Sequence, residues 1–111
     1  MQKLNEKEKP FRKGDSGPKY LINGPRWEGG FVVLKPGEQL GAHYHNEVEE
    51  TFIFLEGKGK IYINDVEYQI EPGDVFRVEP KEKHNILNDT ETTLKAVFIK
   101  CPYLPEDKVV V

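Results

Sequence analysis

From Tyr20 onward, short apolar stretches alternate with turn signals, and no run sustains the spacing of three to four residues that a helix requires. Strands are predicted at Lys19 to Ile22, Gly30 to Lys35, Leu40 to His45, Glu50 to Leu55, Lys60 to Ile63, Val66 to Ile70, Val75 to Val78, His84 to Leu87 and Leu94 to Cys101. The breaks between them carry turn chemistry. Pro36-Gly37 suits a type II turn, because proline fixes the first central φ and glycine accepts the positive φ that follows. Pro72-Gly73 repeats the signal, and Asn64-Asp65 predicts a tight hairpin. Roughly nine short strands at this spacing favour an all-β sandwich or small barrel over an α/β arrangement.

Three stretches, Phe31 to Leu34, Phe52 to Leu55 and Ala96 to Ile99, are apolar at every position and so present apolar side chains to both faces of a sheet. A closed barrel buries only its inside. The outer face then needs a cover, either a second subunit in a homodimer or terminal segments of the same chain. Residues 1–19 are polar, rich in Lys and Glu and broken by Pro and Gly, and are expected to form a mobile arm. Residues 20–102 form the predicted barrel, and residues 103–111 a strap or loose end.

Composition narrows the function. The chain has 111 residues, enough for one modest core, and its 16 basic and 19 acidic groups give a net charge of -3. That balance argues against a nucleic-acid backbone or an anionic membrane as partner. No apolar run exceeds four residues, so neither a membrane span nor the core of a signal peptide is expected. Cys101 stands alone, which fits the cytoplasm as the expected location.

The candidate chemistry lies between Gly37 and Gly57. His43 and His45 are one residue apart in an extended segment, so both rings project from one face and can reach one ion. A carboxylate beyond the next turn, Glu49 or Glu50, can add an oxygen from the neighbouring strand. His84 completes a plausible set, which leaves no histidine of the chain outside it.

Gly37, His43, His45, Glu50 and Gly57 fill every slot of the first motif of the cupin superfamily, the small metal-binding jelly-roll barrels that this chain resembles. Gly73, His84 and Asn88 match the spacing of the second motif. Pro80 falls one place late, and Lys81 and Glu82 replace the usual glycine turn before His84, so the loop entering that strand is expected to differ in shape. The distance to Gly57 selects Glu50 over Glu49. The resemblance implies an antiparallel jelly-roll barrel whose metal ligands are His43, His45, Glu50 and His84. Such a set suits one divalent transition metal, Mn, Fe, Co, Ni, Cu or Zn, with open positions for a small-molecule ligand. Among cupins, that site supports isomerase or epimerase chemistry and dioxygenase chemistry on sugars, diols or keto acids, and also non-catalytic binding or sensing.

Residues beyond the ligands are less determined. Phe52 shares a face with Glu50 and can border the pocket. Arg77, between Phe76 and Val78, either lines the barrel as a substrate contact or faces solvent. Tyr44 is expected to point away from the ion, Tyr62 has no assigned face, and Asn88 suits a turn.

Overall fold

Period-two alternation resolves into ten strands in the computed structural model, which describes residues 1–111. They are β1 (Gly17–Asn23), β2 (Glu28–Leu34), β3 (His43–His45), β4 (Glu49–Glu56), β5 (Gly59–Ile63), β6 (Val66–Ile70), β7 (Val75–Val78), β8 (His84–Leu87), β9 (Leu94–Cys101) and β10 (Lys108–Val110). Two five-stranded sheets face each other, in the orders β1-β2-β9-β4-β7 and β10-β3-β8-β5-β6. Every paired neighbour is antiparallel. The result is the expected all-β jelly-roll barrel.

Register decides which side chains turn inward. Residues directly opposite one another in a ladder share a face, so the pairs Leu34↔Leu94, Val32↔Ala96 and Phe52↔Phe98 carry one apolar layer across the first sheet. Ile61 opposite Ile86, with Ile70, supplies the facing layer from the second sheet. These residues, with Phe54 and Val78, form a single core cluster between the sheets. Burial of this kind contributes about 1.5–3 kcal/mol for each large apolar side chain and drives closure of the sheets.

Two glycines shape the frame. The predicted strand Leu40 to His45 is shortened to β3, because Gly41 adopts a φ of 105° and its N–H donates to Asn85 Oδ1 at 2.8 Å, away from the ladder. Gly57 has a φ of 80°, and a Cβ there would collide with the Thr93 carbonyl, so the exit from β4 admits no side chain. Asn64 and Asp65, with φ of 49° and 67°, make the expected hairpin with both central residues left-handed.

Residues 1–19 do not trail from the barrel as expected of an arm. The first strand starts at Gly17, and the preceding residues fold back on the outer face of the first sheet. Glu6 accepts from Lys95 Nζ at 2.7 Å, its carbonyl accepts from the buried Lys19 Nζ at 2.7 Å, and Lys19 Nζ lies 3.8 Å from the centroid of the Phe11 ring. Terminal residues of the same chain therefore cover part of the outer apolar face. The tail forms a strap, since β10 pairs with β3 and Asp107 Oδ2 accepts from the amides of Glu47 and Val48 at 2.8 and 2.9 Å. No helix of the chain is long and apolar enough to cross a membrane.

Candidate metal centre

Beside the core, His43, His45, Glu50 and His84 converge. All are buried, and their ligand atoms lie within 4.8 Å of one another. β3 supplies two rings because its ends face inward while Tyr44 between them faces out. β8 supplies His84 directly opposite His43 in the ladder, and β4 supplies Glu50 from the other sheet.

Glu50 Oε1 is the hub. The Nε2 atoms of His45 and His84 each lie 3.1 Å from it, and that of His43 lies 3.8 Å away. Donors held about 2.1 Å from one ion at right to tetrahedral angles are separated by about 3.0–3.4 Å, so two of these spacings match and the third is slightly wide. The tautomers follow from the outer partners. His43 Nδ1–H donates to the Gly41 carbonyl at 2.8 Å and His84 Nδ1–H to the Glu82 carbonyl at 3.0 Å, because a carbonyl only accepts. In the neutral rings, Nε2 then presents a lone pair to a carboxylate oxygen. Acceptors facing one another in a buried site call for a cation between them, and a nitrogen-rich set with one oxygen suits a divalent transition metal.

Electrostatics agree with this. Burial opposes the charge on Glu50, but the His43, His45 and His84 rings around it, together with the field of Lys100, hold its carboxyl well below the usual range. Burial lowers the His43 pKa and outweighs the opposing pull of Glu50 and of the Gly41 carbonyl. At neutral pH both groups are in the form that coordinates a metal.

A cavity of about 410 Å³ opens against this cluster, and His43 and Glu50 belong to its wall. Phe52 lines it, and its ring stands edge-on to His84 at 5.9 Å between centroids, an apolar floor beside the donors. Arg77 is not in the pocket. Phe76 and Val78 take the inward slots of β7, so Arg77 turns outward, where its Nε–H donates to Glu79 Oε2 at 2.8 Å in solvent. Of the two faces left open for it, the outer one is occupied. Glu49 faces away from the cluster, next to Glu50 in the strand but of opposite parity. Tyr62 also points outward, with its hydroxyl donating to Glu67 Oε1 at 3.3 Å. Asn88, wholly buried, is the expected turn residue: its amide donates to the carbonyls of Leu34 and Thr92, and its oxygen accepts from the Thr90 amide and hydroxyl.

Several cavity residues escaped the sequence reading, chiefly Tyr20, Glu28, Lys100 and Lys108. The signal for Lys100 was present. It continues the inward series Leu94, Ala96, Phe98, and its ladder partners are Glu28 and Glu50. Lys108 carried no such signal, because its face depends on the pairing of β10 with β3, which is distant in sequence.

The comparisons with known proteins fit this geometry. A family profile described as a cupin domain matches residues 30–100. The L-ectoine synthase of Rhodococcus erythropolis is 33% identical over 69 residues, covering 60% of this chain and 52% of that protein. The quercetin 2,3-dioxygenase of Bacillus subtilis is 32% identical over 83 residues, covering 71% of this chain and 24% of that protein. The chain thus spans about half or less of the length of these curated relatives. Among solved structures, an uncharacterised conserved protein with a double-stranded β-helix domain from Klebsiella pneumoniae superposes with a TM-score of 0.85 over 100% of this chain and 97% of the other, at 15% identity. With the profile spanning both motif regions and the barrel reproduced along its whole length, the chain belongs to the cupin superfamily.

Proposed function

We propose that the chain is a metal-dependent enzyme acting on a small oxygen-rich metabolite, a sugar, diol or keto acid, by isomerase-type, epimerase-type or dioxygenase-type chemistry. One observation carries the reading. Two of the four clustered donors, His43 and Glu50, line a cavity large enough for such a molecule, so a ligand in the cavity can meet whatever the donors hold. His43, His45, Glu50 and His84 would hold one divalent cation. When bound, such an ion supplies Lewis-acid polarisation of a carbonyl or hydroxyl oxygen, or, as iron, a site for dioxygen.

The residues of the chain do the rest. The carbonyls of Gly41 and Glu82 fix the rings of His43 and His84 so that Nε2 faces inward. Phe52 and the apolar layer beneath it exclude water from one side of the donors, which strengthens polar interactions there. Relatives named as a dioxygenase and a synthase support an enzyme.

The test is metal analysis of protein purified without chelating resin, followed by reconstitution with each metal in turn. Oxygen uptake and product formation are then followed on a panel of sugars, diols and keto acids. Oxygen uptake with iron identifies the dioxygenase form, and rearrangement without oxygen the isomerase form. Reconstituted protein that binds no metal removes the reading.

A second copy of the chain is the proposed cover for the outer face that the N-terminal residues leave bare, where Leu55 and Val75 are exposed beside the half-buried Ile53. A monomer by light scattering at micromolar concentration would remove the homodimer.

A further inference from the structure

Three cations meet at the mouth of the cavity, and they come from three separate parts of the chain. Arg12 stands in the N-terminal segment, Lys100 at the end of β9, and Lys108 at the start of β10. Their placement follows from register. Lys108 lies opposite His45 and so shares its inward face, and Lys100 lies opposite Glu50 on one side and Glu28 on the other. Arg12 is fixed by its amide, which donates to the Pro18 carbonyl at 2.9 Å.

Their anions do not balance them. Lys100 Nζ donates to Tyr20 Oη at 2.6 Å and lies 3.9 Å from Glu28 Oε1. Arg12 and Lys108 have no carboxylate within ion-pair distance, whereas Lys13, also on the wall, is answered by Glu38 at 3.9 Å. A divalent ion at the four donors would add two more positive charges to the same wall. Glu28 and Glu50 line the same cavity, so these three cations stand against two carboxylates, and the excess positive charge in a protein of net charge -3 favours an anion among them.

We infer that this mouth is an oxyanion-binding subsite, in which Arg12, Lys100 and Lys108 hold a carboxylate or phosphate group of a small metabolite while its other end reaches the histidine cluster. The inference deepens the reading of the cavity as a substrate site and rests on it. It narrows the substrate class from any oxygen-rich metabolite to an acidic one. Arg12 offers a forked donor and the two lysines offer point charges, a combination that serves either anion. Tyr20, fixed by Lys100 and packed edge-on against Phe98 at 4.9 Å, walls the side between anion and core.

The test uses metal-free protein, so it does not depend on metal uptake or turnover. Inorganic phosphate and acetate are titrated into the full chain while backbone amide signals are followed by NMR. Saturable shifts are expected at Arg12, Lys100 and Lys108, and the tighter of the two probes identifies the anion. Lys108→Gln and Arg12→Gln should each weaken binding about three- to fivefold, the range for partly exposed charge pairs. Lys58→Gln, beyond the far end of β4, makes the same change in net charge and should leave binding unchanged. Shifts that do not saturate, or equal weakening by Lys58→Gln, would overturn the subsite. If the anion binds but reconstituted protein takes up no metal, the metalloenzyme reading fails and the subsite stands. Metal uptake with no anion binding removes the subsite alone.

Discussion

His43 and His84 occupy facing positions in the ladder between β3 and β8, and their rings lie 4.3 Å apart between centroids. A single cross-strand pair therefore joins the two halves of the donor set, bringing together residues distant in sequence. Like basic rings held this close in a buried site favour a shared cation over two separate charges.

The register across β4 predicts which carboxylate matters. Glu50→Gln should weaken metal binding at least about tenfold, comparable to the smaller losses seen when even an outer partner of a ligand is removed. Glu49→Gln should leave it unchanged, because Glu49 points to the other face. Metal content after equilibrium dialysis compares the two variants, and the opposite ranking would overturn the ligand assignment.

Metal-free protein should lose stability as pH falls. Below the ordinary histidine value of 6.5, the unfolded chain protonates His43 while the folded chain resists it, so the unfolded state binds more protons and stability decreases. Glu50 adds a second loss below its ordinary value of 4.5, because its folded pKa is depressed. Both contributions are present at neutral pH. Thermal midpoints of chelated protein between about pH 8 and about pH 4 should therefore decline toward acid, and a flat profile would contradict the shifts.

Chelation should leave the barrel folded. None of the four donors belongs to the core cluster, whose apolar side chains pack against one another between the sheets. Far-UV circular dichroism should persist while the melting temperature drops, since an ion at a thousandfold its dissociation constant adds only about 4 kcal/mol. Loss of the β signal on chelation would show that the core cannot stand alone.

Asn88→Ala should destabilise the fold by about 2–3 kcal/mol without changing metal content. Its side chain ties the loop after β8 to the end of β2 through Leu34, at the opposite end of β8 from His84. Asn88→Asp should fare no better, because a carboxylate cannot donate to the carbonyls of Leu34 and Thr92. Denaturant unfolding read beside metal analysis separates this structural role from a ligand role.

Local pattern revealed most of the frame and the donors. β9 is predicted to the residue because the apolar run Ala96 to Ile99 marks it and Pro102 ends it, and the donors are legible because parity alone sets His43 and His45 on one face. β3 came out shorter than predicted because the left-handed Gly41 redirects a chain whose composition still favours a strand. The packing of residues 1–16 was hidden, since it depends on pairings such as Glu6 with Lys95 that join distant parts of the chain. Arg77 was ambiguous until its neighbours in β7 took the inward slots.

The division of labour between barrel and termini has a further consequence. The donors sit on β3, β4 and β8, whereas Arg12 and Lys108 enter the opening from segments outside the central strands. Substituting the Arg12 or Lys108 side chain while keeping the pairing of β10 with β3 would accordingly alter which guest is admitted and leave the ion where it is, so guest preference and ion preference can be engineered one at a time.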